Sequence, residues 1–193
     1  MDRVGIFVDV QNIWKTFGKI KYDVLLANAQ KNRKLVRASA FMSYDPEDEG
    51  QHNFMRALSH LGYRVVSKPI RRLPDGSIKG NIDLEFAIDA LTLGKYLDVA
   101  VLVTGDGDFV KLVEALGHMG TRVEVIGPDA NTAIELIYAA DHYINLSHIE
   151  GIVENMDSVG DRNFSHYGEK LAKKQNDYNS RFEGRMSYRP SST

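Results

Sequence analysis

The sequence predicts an α/β protein, a doubly wound, mainly parallel sheet with helices on both faces. Three observations carry this. Short runs rich in valine and isoleucine alternate with stretches of helical period about five times along the chain. Val99–Val103 is continuous, apolar and β-branched, as in a strand covered on both faces. Directly after it, Phe109, Leu112, Val113 and Leu116 fall at i, i+3, i+4 and i+7, the spacing of a helix face.

Taken in order, Val4–Val10 is a second buried-strand candidate that ends in an acid, Asp9, followed by Gln11 and Asn12. Trp14 and Phe17 begin an irregular or helical stretch, and Asp23 is placed to cap a helix through Leu25 and Ala29. Leu35–Met42 reads as the next strand. Pro46 at a first helical position, with Glu47, Asp48 and Glu49 behind it, opens a helix that turns Phe54 and Leu58 inward and stops at Gly62. Tyr63–Ser67 is a short strand. Residues 68–80 form a basic loop or ribbon around a Pro-Asp-Gly turn signal. Ile82, Leu84, Ala87, Ile88 and Leu91 read as an amphipathic helix with Asp83 at its start. After the central strand and helix, Arg122–Ile126 is a strand, Asp129 or Asn131 caps a further helix, and Tyr143–Leu146 is a short last strand.

Bulk composition narrows the function. At 193 residues with 43% hydrophobic and 26% charged content, the chain is an ordinary soluble domain plus a tail. We place the domain at 1–150 and a polar, slightly basic tail at 151–193. From Asn155 onward there are 7 Lys+Arg against 5 Asp+Glu, and the tail interleaves Tyr178, Phe182 and Tyr188 with Arg181, Arg185 and Arg189. It is expected to be flexible or partner-dependent, with a homo-oligomer or a protein partner as its use. A net charge of −2 gives no global basic field, so any nucleic-acid contact is local. The absence of cysteine excludes disulfides, thiolate catalysis and cysteine-ligated metals. No signal peptide or membrane-length apolar run is present, and the expected location is the cytoplasm.

The chemistry concentrates in aspartates. Asp106 and Asp108 lie in the glycine-loosened turn Thr104–Asp108, at the carboxyl end of a central strand, where open α/β sheets place their ligands. If the first strand is its neighbour, Asp9 and Asp106 stand one strand spacing apart, roughly 5 Å, and Asp83 reaches in from the overlying helix. Singly, Asp83, Asp106 and Asp108 read equally well as helix caps. Asp9 is harder to explain that way, since an acid interrupting IFVDV at a strand end is costly without a partner. Jointly, the four suit Mg²⁺ or Mn²⁺, hard ions with oxygen ligands, and such ions promote phosphodiester hydrolysis. Asn12 and Thr104 are supporting candidates, and Arg71, Arg72 and Lys79 are candidates for holding phosphates. Asp89 lies about 120° from Asp83 around its helix and belongs outside the set. The six histidines show no ligand spacing, and glycine-rich nucleotide loops and serine elbows are missing.

FVDVQN, KGNIDLEFAIDAL and VLVTGDGDF, in that order across about residues 3–147, resemble the NYN domains of the LabA-like group, within the PIN-like nuclease superfamily. That resemblance implies a sheet order 3-2-1-4-5 and a Mg²⁺- or Mn²⁺-dependent ribonuclease-type site. Asp9 with Asn12, Asp83 preceded by Lys79, and Asp106 with Asp108 fall on its motif positions. The expectation is a metal-dependent endoribonuclease. A non-catalytic RNA-binding or regulatory protein and a small-substrate phosphohydrolase are the alternatives.

Overall fold

The structure is a computed structural model, and residues 1–153 are described. Strand β1 (Arg3–Asp9) lies at the centre of the sheet. It is flanked on one side by β2 (Lys34–Tyr44) and β3 (Arg64–Pro69), and on the other by β6 (Val99–Val103), β7 (Arg122–Gly127) and β8 (His142–Asn145). All neighbours are parallel. Counting only these six strands, the order is 3-2-1-4-5 with a sixth strand added at the far edge. The order reverses between β1 and β6, so the crevice opens where Asp9 and the Thr104–Asp108 turn emerge.

The period-2 alternation divides the core in two. Val4, Ile6 and Val8 of β1 with Val99, Val101 and Val103 of β6 face helices α1 (Val10–Thr16), α2 (Tyr22–Gln30) and α3 (Glu49–His60). Phe7 and Leu102 face α4 (Asp83–Gly94), α5 (Val110–His118) and α6 (Ile134–Ala139). Each such side chain, once buried, contributes about 1.5–3 kcal/mol. Ile149 and Ile152 pack into the first cluster, and Val153 bridges to Ile20.

Several helix starts differ from expectation, each for a local reason. Helix α2 begins at Tyr22, whose ring is locked edge-on against Phe54 and Tyr63, so Asp23 lies inside the first turn rather than capping it. Pro46 shapes a turn, with Asp48 donating its N–H to Asp45 O; Asp48 then caps α3 by accepting from the Gly50 and Gln51 N–H groups. Asp129–Asn131 form a separate 3₁₀ turn and α6 starts without a side-chain cap, because Ala133 is tied to Gly105 O at 3.0 Å. Gly107–Phe109 likewise form a 3₁₀ turn before α5. The basic segment is a ribbon: β4 (Arg71–Arg72) pairs antiparallel with β5 (Ile78–Lys79), around a turn where Gly76 takes φ +80°.

Candidate metal centre

Asp106 lies three residues beyond the end of β6, in a turn built by close approach. A side chain at Gly105 would bring its Cβ to 2.6 Å from Asn131 O, so only glycine lets the two segments touch. The Gly105 N–H donates to Asn12 Oδ1 at 2.9 Å, and the Asp106 N–H to Thr104 Oγ1 at 3.2 Å. Asp106 then curls over the start of the 3₁₀ turn, its Oδ1 accepting from the Asp108 N–H at 3.0 Å. The turn thus holds both acids at the rim.

Asp83 arrives from the first residue of α4. Phe86, one turn on, packs against Phe109 at 4.5 Å and Phe41 at 4.8 Å between ring centroids. This aromatic cluster clamps α4 to the sheet and to the residue after Asp108. The outcome is one anionic group: Asp83, Asp106 and Asp108 each offer an oxygen, all within 4.8 Å of one another. Among the described residues none of the three forms an ion pair with lysine or arginine.

Asp9 occupies a different position. As the last residue of β1 it is only 6% exposed, accepting from the Asn12 N–H at 3.0 Å and the Thr104 hydroxyl at 3.3 Å. Burial pushes its carboxyl up to about 6, and the charges of Asp83 and Asp106 add to the rise, against the Asn12 N–H and Thr104 hydroxyl. It stands behind the exposed group and is coupled to it through charge. Asn12 and Thr104 are therefore brackets: they join β1, α1 and the acidic turn.

The remaining candidates separate cleanly. Arg71 and Lys79 face each other across the ribbon, exposed and without an ion pair among the described residues. Arg72 points to the other face and pairs with Asp45 at 2.6 Å. Asp89 is held by Arg64 at 3.1 Å and by Ser39 at 3.0 Å, away from the acids. The five described histidines are exposed and none joins the cluster. The aromatic–basic tail pattern falls in residues 154–193, outside the described residues.

Two features escaped the sequence reading. Asn81 brackets Asp83, a contact signalled by Asn two residues before a helix-opening acid. An open groove of about 520 Å³ runs from Asn81, Asp83 and Asp108 along Leu84, Leu91 and Leu112, between α4 and α5. Leu84 is 68% exposed on its wall.

Comparison with known proteins agrees with this architecture. The NYN domain pattern matches residues 3–150. The chain is 35% identical over 165 residues to the low amplitude and bright protein LabA of Synechococcus elongatus, spanning 79% of this chain and 88% of that one. Among solved structures, a Vibrio parahaemolyticus protein of unknown function superposes with TM-score 0.70 and 28% identity, over 79% of this chain and 96% of the other. The six-stranded sheet and these matches fit a PIN-like fold. Among the described residues no helix is long and apolar enough to cross a membrane.

Proposed function

As a member of the NYN-domain family, to which the chain belongs, the protein is, we propose, a divalent-metal-dependent ribonuclease that hydrolyses RNA phosphodiester bonds. The observation that carries this reading is the convergence of Asp83, Asp106 and Asp108 within 4.8 Å at the end of an open groove. The donor set fits Mg²⁺ or Mn²⁺: all-oxygen, anionic, exposed enough to retain waters, and, among the described residues, not engaged in an ion pair with an ammonium or guanidinium. Asp83, Asp106 and Asp108 hold the ion, with the Asp9 charge behind them. When bound, the ion lowers the pKa of water and offsets charge on the phosphate.

The rest is the work of this chain's own residues. The Asp108 N–H fixes the Asp106 carboxylate and the Gly105 N–H ties the turn to Asn12 Oδ1, so little reorganisation is needed on binding. Arg71 and Lys79 project from the ribbon whose exit strand leads straight to Asn81 and Asp83, a placement suited to a phosphate next to the scissile one. The open groove suits a polymer laid across the site better than a small phosphorylated molecule in a closed pocket.

A cleavage assay tests the proposal. The protein with Mn²⁺ is expected to cut single-stranded RNA, and EDTA to stop it. Binding of RNA without turnover at any metal concentration would favour the non-catalytic, regulatory alternative.

A further inference from the structure

Asp83 reaches the other acids from a helix start, where its geometry needs outside support. The preceding residue, Ile82, occupies the N-cap position and makes no side-chain cap bond. Asn81 does that work instead. Its Oδ1 accepts from the Asp83 N–H at 2.7 Å, and its Nδ2 donates to Asp83 Oδ2 at 2.7 Å. The two bonds close a ring that fixes the helix start and the carboxylate together.

Asn81 is itself anchored. Its carbonyl accepts from Lys68 Nζ at 3.2 Å, and that ammonium also pairs with Glu85 Oε1 at 2.8 Å. Gly80 before it packs so closely on β2 and the ribbon that a Cβ would lie 2.8 Å from Ile70 Cγ2. The edge strand β3, through Lys68, thus holds Asn81, and Asn81 holds Asp83.

One of the two Asp83 oxygens is consequently turned to the amide. Asp106 is in the same condition, its Oδ1 accepting from the Asp108 N–H. A carboxylate with one oxygen engaged in this way is predisposed to offer an ion the other. Six-coordinate Mg²⁺ and Mn²⁺ accept such ligands, whereas Ca²⁺ needs six to eight oxygens and commonly fills that larger shell with a carboxylate that gives both of its oxygens. Resting on the metal-site reading above, we propose that Asn81 is a positioning residue that presents Asp83 as a one-oxygen ligand and so makes the centre select Mn²⁺ or Mg²⁺ over Ca²⁺.

Calorimetric titration of the full chain with Mn²⁺ and with Ca²⁺, for wild type, Asn81→Ala and Asn81→Asp, tests this. Wild type is expected to prefer Mn²⁺ at least about tenfold. Asn81→Ala is expected to lose about 10–100-fold in Mn²⁺ affinity, the usual effect of removing a group that orients a ligand. Its Mn²⁺/Ca²⁺ ratio falls towards one. Asn81→Asp keeps an acceptor for the Asp83 N–H and loses the amide donor; its added charge raises affinity for both ions, and its ratio also collapses. Metal-free melting temperatures within about 5 °C of wild type establish that the variants fold. A ratio unchanged in both variants would reduce Asn81 to a helix cap and overturn the proposal. Wild-type protein that takes up neither ion would bring down the metal reading, and this inference with it.

Discussion

Phe86 packs against Phe109 with ring centroids 4.5 Å apart, three residues after Asp83 and one after Asp108. Two acids from segments 25 residues apart in sequence are thereby set by a buried apolar contact rather than by any polar bond between them. Both rings are within 3% of full burial. Phe86→Ala should cost about 3–5 kcal/mol in urea unfolding, as for other large cavities. The same variant, still folded in mild conditions, should bind Mn²⁺ more weakly than wild type. Unaltered metal affinity would show that the aromatic cluster does not set the spacing of the acids.

Asp9 should make stability depend on pH in one direction. Its carboxyl is raised from 3.8 to about 6, so the folded protein holds that proton more tightly than the unfolded chain. Ionised Asp9 therefore opposes folding; its cost is absent below about pH 4, grows between about pH 4 and pH 6, and is complete above that. Asp9→Asn should raise metal-free stability at pH 7.5 by up to about 3 kcal/mol, and the gain should vanish near pH 4. Chemical denaturation in EDTA at the two pH values measures it; a gain that persists at pH 4 contradicts the assignment.

Gly105→Ala should be harmful twice over. The new methyl meets Asn131 O at 2.6 Å and Thr132 Oγ1 at 3.1 Å, so either the acidic turn or the 129–133 segment must move. The expected cost is about 1–3 kcal/mol by thermal unfolding, together with a loss of metal affinity. By contrast, Gly117→Ala, where a Cβ meets nothing within 4 Å, should leave both intact.

The ribbon gives a prediction in salt dependence. Arg71 and Lys79 oppose each other in register and like charges there repel, a cost that a bound phosphate removes. Arg71→Ala combined with Lys79→Ala should weaken RNA binding and lower the slope of log K against log salt by about 1–2. Arg72→Ala should do less, its guanidinium being engaged by Asp45. An equal effect from Arg72 would place the phosphate on the wrong face of the ribbon.

Much of this is legible in the chain because hydrophobic period alone orders the elements. The continuous apolar runs at Val4–Val8 and Val99–Val103 are buried on both faces, and their carboxyl ends deliver the acids to one side. What the pattern does not carry is depth. Asp9 and Asp106 look alike in sequence, each placed at the carboxyl end of an apolar run. Yet β1 extends through Asp9, which is enclosed by Asn12 and Thr104, while β6 stops at Val103 and leaves Asp106 at the rim. Cap identity is similarly hidden: Asp23 loses its role because Tyr22 is pulled into the core, a tertiary contact with Phe54 and Tyr63. The pairing of Arg72 with Asp45 depends on which face of the ribbon each residue takes, and that follows only from the register.

The central claim is that Asp83, Asp106 and Asp108 form one anionic centre that requires a cation. Titration of Mn²⁺ into wild type and Asp106→Asn, each followed by thermal unfolding with and without the ion, tests it most directly. Wild type should bind Mn²⁺ and melt higher with it. Asp106→Asn should lose that binding yet, without metal, melt at the same temperature or above, since like charges are relieved. A variant that binds Mn²⁺ as wild type does, or a wild type whose melting ignores the ion, would contradict it.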